Sequence, residues 1–381
     1  MKTFSLLSIL IILYINCLSQ DNKKIDDARL LEYYQNQKFA EAADYLKGIY
    51  AEPFTDLKAL SQLAYTSNMA GRLVEAEKYY LQVYSIDSTN TGTLFSLGSI
   101  NLRRGNNVKA EKYYREIISR DSLNFIAYKQ LATISGDKND IASKIAYLQR
   151  ANKLNPADAE VASDLSDLYV AIKFTDQAAR VLNTAIAADP ENIVLLQSLM
   201  KLISTQKKWP ETVEVCNKLL KAGNESAEVF SKLGIAYYNL KQYSCGAETF
   251  AQIDKEKQNE SIFYFAAMCY KELKDQNWAI YYLNKAIVDG ISPNIASYYG
   301  EIADSNEKKK RFKKAIESYQ KAFQFDAYPM LYYSLASLYE SELKDRVNAA
   351  KYYKKYIAAK PPLDKQQKYI EYAKSRITAA R

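Results

Sequence analysis

Leucine recurs every 34 residues through the middle of the chain, and small and large apolar residues recur with it. The leucines of this series are Leu63, Leu97, Leu131, Leu165, Leu199 and Leu233. The residue after each leucine is small, except at Met200. Another small residue follows most of the leucines by 13 positions, and a large apolar residue comes four positions later. A period of this length is typical of a stacked array of structural repeats.

The spacing within each repeat predicts helices. Small and apolar positions at intervals of three and four lie on one face of an α-helix. Each repeat has two such stripes, separated by a polar turn such as residues 70–72 or 240–242. We therefore predict an antiparallel helix pair in each repeat. Such a pair cannot bury its own apolar faces and needs a neighbouring pair on both sides.

In its period, and in the small and large positions of the second helix, the chain resembles the tetratricopeptide repeat family. The resemblance covers about ten repeats within residues 20–363, starting near residues 23, 57, 91, 125, 159, 193, 227, 260, 296 and 330. It departs from the family pattern at the tryptophan of the first helix, which is replaced by residues such as Leu60 and Phe230, and at Lys144 and Thr212, where alanine is usual. The fold that the resemblance implies is an all-α, right-handed superhelical solenoid.

Residues 364–381 are predicted to form a helix that caps the carboxy-terminal end of the array. Asp364 is placed as the N-cap of this helix, and Gln367 as the residue whose side chain returns to it in a capping box. Ile370 and Ala373 belong to a single apolar stripe. A helix that is apolar on one side only suits the last position of a solenoid.

Residues 1–19 are predicted to be a secretory signal peptide. Lys2 is followed by an apolar run and then by small side chains, and cleavage after Ser19 would leave Gln20 as the new amino terminus. Two alternatives stay open. In the first, the protein is a lipoprotein acylated at Cys17, although Asn16 occupies the position where that signal has a small residue. In the second, the apolar run remains as an uncleaved anchor.

Composition narrows the chemistry. The chain has no histidine, which excludes Ser-His-Asp and Cys-His catalysis and imidazole metal sites. It has 33 tyrosines. The second member of each tyrosine pair in a second helix, at Tyr80, Tyr114 and Tyr353, falls on a packing position and is expected to be buried with its hydroxyl at the rim. No catalytic residue and no cofactor is predicted.

The family resemblance implies a concave groove lined by the first helices of the repeats. The side chains that it places in this groove are Tyr34, Tyr65, Met69, Phe95, Arg103, Ile126, Lys129, Ile235, Tyr238, Asn239 and Tyr264. Aromatic and arginine side chains in such a surface are typical anchors for a peptide or a partner helix. Neither Tyr65 nor Phe95 falls on a predicted packing position, so both are expected to be available for binding. Ordinary surface lining is the alternative for any one of these residues.

Three cysteines follow the predicted signal peptide. Cys216 falls on a packing position and is read as a small core residue. In an exported protein, Cys245 and Cys269 could form a disulfide, but cysteine connectivity cannot be determined from sequence, so the question stays undecided at this point. The sequence has no paired-cysteine motif, and no metal site is predicted.

The net charge of +8 arises near the carboxy terminus. Residues 296–381 carry 18 Lys and Arg against 10 Asp and Glu, whereas the two signs balance in residues 1–295. The densest run, the basic patch, comprises Lys308, Lys309, Lys310, Arg311, Lys313 and Lys314. It is interpreted either as a solvated turn or as a docking surface for an acidic partner or an anionic membrane. Nucleic acid is not an expected partner of an exported chain.

Together these features predict a non-enzymatic protein-interaction scaffold of the bacterial cell envelope, in the periplasm or at the outer membrane. It would bind a peptide or partner protein in the groove. A structural envelope component that self-associates, and a non-catalytic subunit of an envelope enzyme or secretion complex, are the alternatives.

Overall fold

A computed structural model of the chain describes residues 25–50, 56–289 and 293–379. The predicted signal peptide, with Cys17, lies outside these residues. The chain divides into two units, Met1–Leu165 and Ser166–Arg381, and the division falls within one helix. The described residues are helical and contain no strand, so the predicted all-α solenoid of helix pairs is confirmed.

The first unit holds four helix pairs and the start of a fifth. Its helices are α1 (Asp27–Gln35), α2 (Phe39–Ile49), α3 (Leu57–Met69), α4 (Leu73–Ile86), α5 (Thr91–Arg103), α6 (Asn107–Arg120), α7 (Phe125–Asp137), α8 (Ile141–Leu154) and the beginning of α9 (Ala159–Ala171).

The second unit continues the alternation of first and second helices. It contains the end of α9, then α10 (Thr175–Ala188), α11 (Ile193–Thr205), α12 (Trp209–Lys221), α13 (Ala227–Asn239), α14 (Tyr243–Ala251), a 3-10 turn at Lys255–Lys257, α15 (Glu260–Glu272), α16 (Gln276–Asp289), α17 (Ile295–Lys308), α18 (Phe312–Phe325), α19 (Pro329–Ser341), α20 (Arg346–Ala358) and α21 (Leu363–Ala379).

The first helices begin where a short polar side chain can cap them. The Asp56 carboxylate accepts from the backbone N–H of Ala59 at 2.8 Å, and Asn90 accepts from Thr93 at 2.9 Å. Asn124 and Asp158 repeat the arrangement, each 34 residues after the last. Since the first N–H groups of a helix lack intrahelical partners, these caps fix where each pair starts.

Packing inside a pair joins a small residue of the first helix to a large one 16 positions later in the second. A Cβ added at Gly98 would lie 2.7 Å from the ring of Tyr114, and one added at Gly234 would lie 2.7 Å from the ring of Phe250. Met200 and Cys216 have the same spacing with the sizes exchanged, and both are completely buried in one apolar cluster. The exception at Met200 is therefore compensated by its facing residue.

The predicted burial of the paired tyrosines is confirmed. Tyr114 and Tyr353 are almost completely buried and Tyr80 is 9% exposed. The hydroxyl of Tyr353 donates to the Glu340 carboxylate at 2.9 Å. Burial raises the pKa of the Tyr114 hydroxyl to about 12.

The capping box predicted for the last helix is wrong. Helix α21 begins at Leu363, before Asp364, and its backbone departs from helical geometry at Gln366. Gln367 points along the helix instead and donates to Glu371 at 3.0 Å. Tyr356, on the preceding helix, donates to the Gln366 side chain at 3.0 Å, so this contact lies at the kink. Ile370 and Ala373 are buried, as the apolar stripe predicts.

Within each pair, a short turn, in most pairs of three residues, joins the first helix to the second. Each of these turns contains a residue with positive φ. In the first unit these residues are Gln37, Gly71, Gly105 and Asn139. In the second unit every one is a lysine. Among the residues that the structure describes, no helix is both long enough and apolar enough to span a membrane.

Candidate functional site

The candidate groove residues of the first unit centre on an exposed pair in α3. Tyr65 and Met69 lie one helical turn apart and are 45% and 48% exposed. The ring of Tyr65 meets the ring of Tyr34 edge-on, with 6.0 Å between centroids, and that of Phe39 at 6.3 Å. Three helices thus contribute to one aromatic cluster whose outer side is open to solvent.

Phe95, in contrast, is a packing residue. It is half-buried against the apolar core of the first unit, and its ring meets the edge of the buried Tyr114 ring at 5.9 Å. These contacts leave Phe95 only in part available for binding, so its role as an anchor stays a prediction.

The two predicted cationic anchors of the first unit already have partners. The Arg103 guanidinium donates to the Asn68 side chain at 3.0 Å. Lys129 forms ion pairs with Glu160 at 2.5 Å and Asp158 at 3.3 Å. Burial alone would lower the pKa of Lys129, but these two carboxylates outweigh it and raise that pKa. Ile126, on the same helix as Lys129, is exposed.

In the second unit, one candidate residue, Tyr264, lines a cavity between first helices, and a second, Tyr238, lies close to it. Tyr264 stands 5.5 Å from the Phe265 ring and 5.3 Å from the Tyr298 ring, and Tyr238 lies 5.5 Å from Phe265, measured between centroids. The cavity has a volume of about 390 Å³. Its lining comprises Glu260, Ser261, Tyr264, Phe265, Asn294, Ser297 and Tyr298.

The other two candidates of this unit contribute less. Ile235 is half-buried against the apolar cluster around Phe250 and Ile262. Asn239 is exposed, but its amide donates to the Ile235 carbonyl of its own helix at 2.8 Å. Of the four residues predicted here, the structure brings Tyr238 and Tyr264 together through Phe265.

A second cavity, of about 450 Å³, was not expected from the sequence. Glu301, Asp304 and Glu307 enter it from α17, and Lys271 pairs with Glu301 and, at 2.6 Å, with Asp304. Burial would lower the pKa of Lys271, yet the two carboxylates raise it. The three acids fall at every third position of one helix face, which is the signal that sequence reasoning missed.

Glu307 is the acid of this cavity whose ionised form is least stabilised by its surroundings. Burial raises its pKa, and the hydroxyl of Tyr319, which donates to its carboxylate at 2.7 Å, opposes that shift only in part. Lys271 and Lys308 pair with the other two acids, so the charges of those acids are offset within the protein.

The basic patch is only partly free. Lys308 pairs with Asp304 at 3.0 Å, and Lys309 donates to the Asn277 side chain. Lys310, Arg311, Lys313 and Lys314 are exposed. Partial desolvation, and then the charges of Arg311 and Lys314, lower the pKa of Lys309. These cations repel one another, so the patch attracts anions.

The cysteines do not form the disulfide that the sequence left open. Cys216 and Cys269 are buried free thiols, and Cys245 is an exposed one. Cys269 faces Gly246, where an added Cβ would lie 2.9 Å from its sulfur. Within the described ranges, no group of three or more acidic or thiol side chains is placed to hold a metal ion.

Two family models match the chain. Residues 72–208 match the EMC2 TPR-like repeat domain, and residues 296–328 match the tetratricopeptide repeat. Both stretches consist of the helix pairs described above. The chain is a tetratricopeptide repeat protein. A comparison with curated proteins finds no match.

Several solved structures are similar to this tetratricopeptide repeat protein. For each, we give the share of this chain that is aligned first and the share of the other chain second. A tetratricopeptide repeat protein from Parabacteroides merdae is 16% identical, with 76% of this chain and 98% of that chain covered and a TM-score of 0.30. YrrB, a TPR protein with an unusual peptide-binding site, is 16% identical (51% and 97% covered, TM-score 0.42). PilF of Pseudomonas aeruginosa is 20% identical (56% and 97%, TM-score 0.44). Similarity at this level does not indicate what the repeat protein binds.

Proposed function

We propose that this tetratricopeptide repeat protein is a non-enzymatic interaction scaffold that binds a peptide or protein partner along its first helices. The observation that carries the proposal is the exposed apolar pair of α3, Tyr65 and Met69, backed by the rings of Tyr34 and Phe39. Aromatic side chains held rigidly by their neighbours, with one side open, are typical anchor points of protein interfaces.

Two further features extend the proposal. The two cavities of the second unit, the aromatic one and the one lined by Lys271 and its acidic partners, would take side chains of the partner. The basic patch would serve an acidic partner or an anionic membrane surface. The pattern of residues 1–19 supports a place in a bacterial envelope, in the periplasm or at the outer membrane.

Site-specific photo-cross-linking tests the groove. A photoreactive phenylalanine analogue is placed at position 65 in one variant and at position 86 in another, and each variant is exposed to an envelope extract. Ile86 is the matched control because it is an exposed apolar residue of a second helix, α4, at 53% exposure. We expect discrete cross-linked species from position 65 and none of them from position 86.

Replacement of the anchors completes the test. Tyr65→Ala with Met69→Ala should weaken binding of the captured partner at least tenfold, since each hot-spot side chain contributes about 2 kcal/mol when truncated. The melting curve should change little because both side chains are about half exposed. Equal cross-linking from both positions, or unchanged affinity of the double variant, would show that the partner binds elsewhere.

A further inference from the structure

The turns between first and second helices of the second unit form a surface with unusual chemistry. We call residues 172–174, 206–208, 240–242, 273–275, 309–311 and 342–345 the turn edge. In a stack of helix pairs, equivalent turns of successive pairs follow one another along the same border. The side chain of Lys309, in one of these turns, reaches Asn277 at the start of the preceding second helix, as this stacking requires.

Each turn of this edge holds a lysine in left-handed backbone geometry. The residues are Lys173, Lys207, Lys241, Lys274, Lys310 and Lys344, with φ between 56° and 65°. A side chain with a Cβ is strained in this region, and glycine is not. In the first unit the equivalent position is occupied by Gly71 and Gly105 and by the uncharged Gln37 and Asn139. Lysine therefore stands at six positions where glycine would be more stable.

The charges of the turn edge are not neutralised. It carries nine cations, namely Lys173, Lys207, Lys208, Lys241, Lys274, Lys309, Lys310, Arg311 and Lys344, against Asp275, Glu342 and Asp345. None of the nine makes an ion pair with a residue that the structure describes.

Two of the three acids of the edge are engaged locally. Asp275 accepts from the backbone N–H groups of Asn277 and Trp278, and Asp345 from that of Asn348. In the first unit, by contrast, three of the four turn cations, Arg72, Arg104 and Lys138, are paired with Asp44, Glu77 and Glu111, and Lys38 makes no ion pair with a described residue. The second unit thus presents a row of positive charge, whereas the first unit balances most of its own.

Exposed apolar side chains stand among these lysines. Phe174 is 50% exposed beside Lys173, and Leu273 is exposed beside Lys274. Trp278, 46% exposed, follows Lys274 by four residues and stacks on Tyr270 with 5.8 Å between ring centroids. Tryptophan and tyrosine are enriched where protein meets the headgroup region of a bilayer, and lysine extends its charge to the phosphates there.

We propose that the turn edge of the second unit docks onto the surface of an anionic lipid membrane. Eight of its nine cations are lysine, a flexible point charge, whereas recognition of protein carboxylates favours the planar fork of arginine. The exposed rings and aliphatic side chains among the charges also suit a bilayer interface better than a soluble acidic segment. The inference deepens the role of the basic patch in the proposed function and is independent of groove binding.

Glycine substitution isolates the charges from the fold. In Lys241→Gly, Lys274→Gly, Lys344→Gly, three charges disappear while the strained backbone positions gain the residue that fits them. The melting temperature should stay the same or rise. Affinity for phosphatidylcholine vesicles containing one quarter phosphatidylglycerol, measured by co-sedimentation, should fall on the order of a hundredfold, since each lysine near such a surface contributes about a factor of five.

The matched control removes the same charge elsewhere in the second unit. Lys221→Gln, Lys255→Gln, Lys354→Gln changes three exposed lysines that lie outside the turn edge. This variant should bind the vesicles nearly as well as the unaltered protein. Equal losses in both triple variants would reduce the effect to net charge and overturn the docking surface.

Trp278 reports contact directly. In a Trp209→Phe background it is the single tryptophan, and its emission should shift to the blue on anionic vesicles and not on pure phosphatidylcholine. Soluble poly-glutamate provides the competing outcome. If the protein binds poly-glutamate tightly but the anionic vesicles no better than neutral ones, the edge serves an acidic protein and the proposal is wrong. These assays contain no peptide partner, so their failure leaves the groove untouched.

Discussion

The exchange of sizes at Met200 and Cys216 gives a quantitative test of the packing between the two helices of a repeat. In other repeats, a small residue of the first helix faces a large one of the second, as Gly98 faces Tyr114. Here the large residue is on the first helix and the small one on the second, and both have zero exposure. If the two side chains share one volume, moving that volume back to the second helix should be tolerated.

Each single change should be harmful. Met200→Ala removes a fully buried side chain and should lower the free energy of unfolding by about 3 kcal/mol. Cys216→Leu adds volume to a site that is already filled and should lower it by about 2 kcal/mol. In the double variant Met200→Ala, Cys216→Leu, the leucine fills the space that the methionine leaves. We expect it to lie within about 1.5 kcal/mol of the unaltered protein, which means a favourable coupling of at least about 3.5 kcal/mol.

Urea unfolding followed by circular dichroism measures these differences. Repeat arrays can unfold in parts, so a local signal is also needed. The fluorescence of Trp209 serves, because this residue begins the helix that contains Cys216. A double variant whose loss equals the sum of the two single losses would refute the shared volume, and the exception at Met200 would then have no packing explanation.

Three further predictions follow from the same structure. Leu165→Asp buries an unpaired carboxylate at a site with 1% exposure and should lower the melting temperature sharply, with helicity lost first around the fifth pair; an unchanged melting curve contradicts the buried assignment. In the native protein one thiol, Cys245, should react with a disulfide reagent at neutral pH, since burial raises the pKa of the two other described thiols to about 12, and rapid reaction of all three would show an open core. Mass spectrometry of exported protein should find Gln20 at the amino terminus, whereas an acylated Cys17 would make the protein a membrane-tethered scaffold.

The fold was predictable because its requirements repeat. Leu97 and Leu131 are both buried because they lie on the apolar face of a first helix, and the same spacing of apolar residues recurs from repeat to repeat. The caps at Asn90 and Asn124 carry an equally periodic signal that the apolar pattern alone does not use. Met200 departs from the pattern of its own helix, but the volume at this position is set jointly with Cys216 on the facing helix.

The candidate site was less predictable, because its residues are defined by contacts between repeats. Lys129 and Tyr65 occupy comparable first-helix positions, yet the lysine is neutralised by Glu160 of the next repeat and the tyrosine remains open. The exposure of Phe95 depends on the Tyr114 ring beside it, which its position in the repeat does not reveal. Family positions predict which way a side chain points, but the neighbouring repeat decides whether it is available.

The turn lysines form a surface that the backbone geometry of the structure reveals. In left-handed geometry, a lysine lowers the stability of the folded state by about 1 kcal/mol or more relative to a glycine, because of its Cβ. Glycine loses part of this advantage because it has more conformational freedom in the unfolded chain. Even a net difference of about 0.5 kcal/mol per site, over the six lysines, amounts to about 3 kcal/mol. That is a large share of the 5 to 15 kcal/mol by which a typical domain is stable. The first unit has the same backbone geometry at Gln37, Gly71, Gly105 and Asn139, and none of these residues is charged. The second unit has the less stable residue at each of these turns. Its lysines are therefore better explained by binding to an anionic surface than by a contribution to the stability of the fold.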